Sequence, residues 1–296
     1  MSRIQFILVA ILLARQTSAA SEDVCEIPAD EDILGLGVRL GLYFQILSNF
    51  VVGIADPDEA AGTFIPSFLF ILSYLIAVLY SVINNNYPPG ALISSTWYPT
   101  LVISLRPNEF GREDSAKLLK HQILTLVLMV ATLAFNTWFW FQGLDVPNSA
   151  QCMEPRVFFF ANLSALGNTR TLFKVLSCFF LILFSGIFIV LVAWIVFVLI
   201  PEGRMRSPRI LDQSEEEIIP KVLEYQLTML VIFIVPTELQ IYWNHLSDIN
   251  RIGTTGQIIP LCIGAMSLIR AIYLVIRTRQ GYILKFWDDL RSSMCC

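Results

Sequence analysis

Seven apolar runs separated by shorter polar stretches organise most of this chain: 34–55, 64–83, 90–106, 121–142, 173–200, 221–244 and 257–277. A helix needs about 20 apolar residues to cross the hydrocarbon core of a bilayer, and all the runs except the third reach that length. The third, GALISSTWYPTLVISLR, is shorter and carries Pro99, which predicts a half-span or a kinked helix. An eighth run, IQFILVAILLA, follows Arg3 and ends before the small residues TSAA, the pattern of a signal peptide over 1–20. The expectation is an all-α fold: a polytopic membrane helix bundle of about seven transmembrane helices, its N-terminus outside once the signal peptide is removed. Residues 21–33 then form a luminal segment, 34–277 the transmembrane domain and 278–296 a cytosolic tail. No repeat of 20–50 residues is visible, which argues against a duplicated transporter.

Composition agrees with this reading and narrows it. The chain is 55% hydrophobic with 15% charged residues, and its mean hydropathy is +0.65; a water-soluble domain could not hide so much apolar surface. The net charge of −4 comes without long basic blocks, so a nucleic-acid partner is not expected. With the N-terminus outside, twelve Lys and Arg residues fall in inside segments against four outside (Arg156, Arg170, Lys174 and Arg251). That is a positive-inside bias; with the signal peptide, the expectation is an integral membrane protein of the endoplasmic reticulum or another secretory-pathway membrane.

Cys25 and Cys152 are the cysteines in predicted outside segments, a natural disulfide pair in an oxidising lumen, with two free thiols as the alternative. Cys178 and Cys262 fall inside spans as small packing residues. Cys295 and Cys296 end the tail and are candidates for S-acylation. Asn162 heads the sequon Asn162-Leu163-Ser164 in an outside loop, a candidate glycosylation site close to the membrane. The cysteines lack ligand spacing, and His121 and His245 fall near opposite faces, so no metal site or cofactor is expected.

Polar residues inside the apolar runs carry the candidate chemistry. In GLGVRLGLYFQ, Gly37 and Gly41 form a small-xxx-small step for close helix approach. Arg39 lies between them, to snorkel outward or to face the bundle and pair with a carboxylate. In PTELQIYWNHLSD, Pro236 predicts a kink, and Glu238 lies about 26 Å along the sixth helix from Lys221, at a level comparable to Arg39. Glu238, Tyr242 and His245 recur at i, i+4 and i+7 and are expected to share a face. Three readings of Glu238 stay open: a solvated interfacial acid, a structural partner of Arg39 or His245, or a catalytic or ligand-binding acid. Arg270, expected to be buried in the seventh span, is the best sign of a transport pathway.

The segments DEDILGLGVRLGLYFQ and ELQIYWNHLSDINRIGTTGQIIPLCIG resemble a large family of filamentous-fungal multi-pass membrane proteins. The resemblance rests on Asp32, Ile33, Gly35, Gly37, Val38 and Arg39, then Glu238, Ile241, Trp243 and Asn244, then Thr255, Gly256, Gln257, Ile259 and Pro260. It covers the first helix and the last two, and most members have no assigned activity.

By analogy with small seven-helix fungal cyclases of meroterpenoid and indole-diterpene pathways, the leading expectation is an isoprenoid cyclase of secondary metabolism. Such chemistry needs an acid that protonates an epoxide or olefin, an apolar pocket, and π-faces for the carbocation. The candidate catalytic residues are Glu238, His245 and Arg39. Trp97, Tyr98, Trp138, Trp140, Tyr242 and Gln257 are the candidate substrate-binding residues, with an isoprenoid as the small-molecule partner beside the bilayer lipid. A seven-helix receptor or sensor is the alternative, although SLRPNEF ends the third span without an acidic-Arg-aromatic triplet and the last span lacks Asn-Pro-x-x-Tyr and a lysine. A transporter is the third expectation. Oligomeric state is not legible in these residues.

Overall fold

The computed structural model describes residues 26–55, 57–84, 88–97, 102, 115–145, 154–158, 161–199 and 215–294. Helices dominate. A short α1 (Glu31–Leu34) breaks at Gly35 into α2 (Leu36–Ala55), followed by α3 (Pro57–Ile83), α4 (Pro89–Ser95), α5 (Ser115–Phe141), α6 (Gly167–Trp194), α7 (Glu215–Trp243) and α8 (Thr255–Met294). A 3-10 turn (Gly143–Asp145) closes α5, and a π-helical turn (Ile195–Leu199) extends α6.

Among the described residues five helical stretches are long and apolar enough to cross a membrane: Glu31–Gly53, Gly62–Ile83, Leu119–Phe141, Gly167–Phe197 and Thr255–Thr278. The sixth predicted span falls on α7, whose apolar stretch is described over Leu230–Trp243. The third predicted span, 90–106, expected as a half-span or a kinked helix, is described mainly at its start. Its helix α4 has seven residues and turns at Thr96–Trp97, and most of the remaining segment lies outside the described residues. The physical reason is local: Ser94 and Thr96 hydroxyls bond back to the carbonyls of Ala91 (2.8 Å) and Ile93 (2.7 Å), a side-chain competition with helix continuation.

The tightest seam joins α2 to α8. A methyl group on Gly41 would sit 2.4 Å from the carbonyl oxygen of Pro260, and one on Gly264 would sit 2.2 Å from that of Gly41. Only backbone fits against backbone there, the small-residue packing that replaces hydrophobic drive between helices in lipid. Around this seam, α2 presents Val38, Leu42 and Ile46 to a core shared with Ile71 of α3, Leu128 of α5 and Phe233 of α7. At the opposite end of α2, Val52 packs with Ala271 and Leu274 of α8.

Burial grades the helices by position. Over its spanning window α2 is 56% buried, whereas α6 is only 6% buried; α2 is central and α6 peripheral. Phe179, Ile182, Ile189, Val190 and Phe197 are exposed on α6, surface that hydrocarbon accommodates and water does not. Cys178 is half-buried on this helix, and Cys262, expected to pack inside its span, is exposed on α8. Arg270 is likewise exposed rather than buried. Its guanidinium reaches toward Gly62, with Nη2 3.7 Å from where a Cβ there would lie, because the seam with α2 occupies the other side of α8.

One end of the bundle carries all the described strands. Here β1 (Ile27–Pro28) pairs in parallel with β4 (Leu246–Ser247), and β2 (Arg156–Phe158) pairs antiparallel with β3 (Asn162–Ser164). The starts of α2, α4, α6 and α8 and the ends of α5 and α7 meet at this capped end. Asn162 is exposed on β3, and the Ser164 hydroxyl of its sequon donates to Glu154. The candidate signal peptide, Cys25, Cys152, Cys295 and Cys296 lie outside the described residues.

Candidate functional site at the capped end

The polar residues that interrupt the end of α7 point in two directions. At about 100° per residue, Glu238 faces one way while Gln240 and Asn244 face nearly the other. Toward α2, Arg39 Nη1 donates to Glu238 Oε2 at 2.5 Å, and the Tyr43 hydroxyl donates to Glu238 Oε1 at 2.8 Å. Arg39 is 2% exposed, and its other donors are also engaged. Nε bonds the Leu34 carbonyl (2.9 Å), and Nη2 bonds Asn250 Oδ1 (2.9 Å) and the Ile249 carbonyl (3.4 Å). One guanidinium therefore ties α1, α2, α7 and the 244–254 connection together. Its fixed fork of donors suits it to this role better than a lysine ammonium.

On the other face, the Gln240 amide, assigned so that its oxygen faces the donors and its nitrogen the acceptor, donates to the Ile93 carbonyl (3.3 Å) and accepts from Trp97 Nε1 (2.9 Å) and Phe158 N (3.2 Å). Asn244 accepts from Arg156 N (2.7 Å) and donates to the carbonyls of Arg156 (2.8 Å) and Gln240 (2.7 Å). Both residues are buried, and each satisfies the open backbone of the β2–β3 hairpin or α4. Trp243 stacks on Phe158 at 6.0 Å and 18°.

The start of α8 completes the arrangement. The Thr254 hydroxyl donates to Asp32 Oδ1 at 2.5 Å, and the Asp32 carboxylate lies against Gly256, a favourable place for negative charge at a helix N-terminus. Gln257 is fully buried, donates to Glu31 Oε2 (3.2 Å) and accepts from Gly37 N (3.4 Å).

His245 is placed differently from the expectation. The helix ends at Trp243, and His245 adopts a left-handed backbone with φ of 46°, so the i, i+7 relation to Glu238 does not exist. Its carbonyl accepts from Ile27 N at 3.1 Å, and among the described residues no hydrogen bond or ion pair links it to Glu238. Tyr242 remains one helical turn beyond Glu238 and is 40% exposed.

The candidate substrate-binding side chains are dispersed. Trp97 belongs to the Gln240 cluster, and Gln257 to the α2–α8 seam. Trp140 is fully buried and stacks on Phe173 at 4.4 Å and 9°. Trp138 packs on Phe135 at 5.8 Å. Tyr98 lies outside the described residues. A small void of about 10 Å³ between α3, α4 and α5 is lined by Tyr74, Ser95 and Thr132 among others, which is room for about one water molecule.

Beside Trp140, Arg170 fastens the start of α6 to the end of α5. It donates to the Trp140 and Phe141 carbonyls (2.9 and 2.8 Å) and to both Asp145 oxygens (2.7 and 2.6 Å). These bonds hold the Asp145 carboxyl below the usual carboxylate range. Among the described residues no group of three or more His, Cys, Asp or Glu side chains is placed to hold a metal ion.

Sequence reasoning singled out Arg39, Glu238 and Gln257 but missed Asn250, the Asp32–Thr254 contact and the hairpin partners of Gln240 and Asn244. The available signal was that polar residues recur in both motif segments. What joins them is long-range, because Arg39 and Glu238 are 199 residues apart. Comparison with protein-family models, curated proteins and solved structures finds no match.

Proposed function

We propose that the chain is a seven-helix transmembrane sensor of a secretory-pathway membrane, its capped end outside and its C-terminal tail inside. The observation that carries this reading is α8. It begins against Glu31, Asp32 and Gly37 in the capped end and runs unbroken from Thr255 to Met294. Its apolar window ends at Thr278, and residues 279–294 continue it for about 24 Å at 1.5 Å per residue. A change in the capped end therefore acts on a rod that emerges on the far side, and the Arg39–Glu238 pair is the element able to exist made or broken. The resemblance to the filamentous-fungal membrane-protein family belongs to the same proposal, supported by its motif segments being each other's contacts. The same orientation puts Asn162 outside for a glycan and Cys295 and Cys296 inside for acylation.

The isoprenoid cyclase is the second reading. One observation favours it: the Glu238 side chain is 42% exposed, with the Tyr242 ring a turn beyond. Against it, both carboxylate oxygens accept hydrogen bonds from Arg39 and Tyr43, an arrangement that suits a charged acceptor more than a proton donor.

Two measurements on the full chain decide between them. In nanodiscs, spin labels on Asn162→Cys and Ser292→Cys, with the chain's six native cysteines replaced, should change their distance distribution by several Å when Glu238→Gln weakens the pair. An unchanged distribution overturns the sensor. In microsomes offered an epoxyfarnesyl substrate, turnover that disappears in Glu238→Gln establishes the cyclase instead.

A further inference from the structure

The segment ahead of α1 is held to the capped end as an added strand. Ile27 and Pro28 lie parallel to Leu246 and Ser247, and the Ile27 amide donates to the His245 carbonyl at 3.1 Å. Side chains alternate as an extended peptide requires: Glu26 and Pro28 are exposed, and Ile27 is fully buried. The Ile27 side chain enters a slot whose floor is Gly90 of α4, its Cδ1 3.2 Å from where a Cβ on that glycine would be, beside Asn244. Leu246 closes the slot and is 6% exposed. One buried aliphatic anchor with backbone pairing beside it is how sheet edges take up extended peptides.

We propose that this slot is a peptide-recognition seat, filled in the resting protein by the chain's own Glu26–Pro28. Its ligand class is an extended peptide presenting a β-branched aliphatic residue where Ile27 lies. The proposal deepens the sensor reading and rests on it for its biological meaning. The self-strand is short and pairs through two residues, so it can leave without disturbing the helices. A competing peptide has to enter only while it is away, and its apparent affinity is reduced by the fraction of time the seat is open. An occupant takes hold of β4, which leads through Ile249 and Asn250 to Arg39 and on to the start of α8.

The test uses the full chain in nanodiscs and a fluorescent peptide of the sequence EIPADED, copied from Glu26–Asp32. Ile27→Asp should expel the self-strand and bind this peptide at least about tenfold more tightly than the unaltered chain, and a peptide with Asp in place of its Ile should not bind. An Ile27→Asp chain that unfolds cooperatively on heating, yet does not take up the peptide, overturns the proposal. Should that variant not fold, hydrogen exchange on the unaltered chain decides: the Ile27 amide should exchange at least about 100-fold faster than the core amides of α2. Equal protection means the strand never leaves, and the proposal fails. Peptide binding without a change in the Asn162–Ser292 distance refutes the sensor and leaves the seat standing; a distance that responds to Glu238→Gln in a chain that takes no peptide refutes the seat alone.

Discussion

Removing either partner of the Arg39–Glu238 pair should be costly, but unequally. Arg39 is 2% exposed and bonds four acceptors, whereas the Glu238 side chain is 42% exposed and bonds two donors. Breaking a fully buried pair costs about 3–5 kcal/mol because the survivor keeps an uncompensated charge. Arg39→Gln leaves a half-exposed Glu238 that water can solvate, but it removes most of the four hydrogen bonds of a buried side chain, about 1 kcal/mol each, so a loss of about 3–4 kcal/mol is expected. Glu238→Ala leaves Arg39 with Leu34, Ile249 and Asn250 and opens a space that water can enter; discounted for that exposure, the loss is about 2 kcal/mol. Glu238→Gln keeps one acceptor, for Arg39, turns an NH2 donor toward the Tyr43 hydroxyl, which can accept, and loses the charge, about 1 kcal/mol. Thermal unfolding in detergent reads the series, at roughly 2–4 °C per kcal/mol for a chain of this size. The double variant Arg39→Gln/Glu238→Ala should fall short of additivity by about 1–2 kcal/mol. An additive double variant, or a Glu238→Ala loss equal to that of Arg39→Gln, would refute this account of the pair.

Other sites give sharper structural tests. Gly264→Ala places a methyl group 2.2 Å from the Gly41 carbonyl oxygen, so α2 and α8 must separate; a loss of about 1–3 kcal/mol is expected, whereas Gly186→Ala, with nothing within 4 Å, should leave the melting temperature unchanged or higher. Asn244→Ala removes three hydrogen bonds, two of them to Arg156. It should cost about 2–3 kcal/mol and speed proteolysis within β2–β3 before any helix is cut. The Asp145 carboxyl is depressed in the folded state by Arg170, so its contribution is present above the unfolded value of about 3.9 and is lost as pH falls through the lower folded value. Melting temperature should accordingly depend less steeply on pH in the acid range for Asp145→Asn than for the unaltered chain; identical profiles would sink the assignment.

Run length and local chemistry carried much of the architecture. The apolar segments that became α2, α3, α5, α6 and α8 were legible because a helix in hydrocarbon must satisfy its own backbone and expose apolar side chains over a fixed length. The Gly37–Gly41 step was legible for a related reason: small residues four apart leave a groove on one helix face, and only another helix fills it at that distance. Pattern failed where a break depended on partners. Helical spacing put His245 on the face of Glu238, but α7 stops at Trp243 and its carbonyl side turns to receive β1.

By itself the sequence indicated a helical membrane bundle and which segments are apolar, and it marked Arg39 and Glu238 as polar residues whose role it left open. Those conclusions depend on composition and on spacing of a few residues. Only the tertiary structure decided what the polar groups are for. It placed Glu238 against Arg39 and Tyr43, turned Gln240 and Asn244 toward α4 and the β2–β3 hairpin, and seated Ile27 on Gly90. Each of those contacts joins groups tens to hundreds of residues apart, and a buried donor is satisfied by whichever acceptor the fold brings within 3 Å, not by the one nearest in the chain.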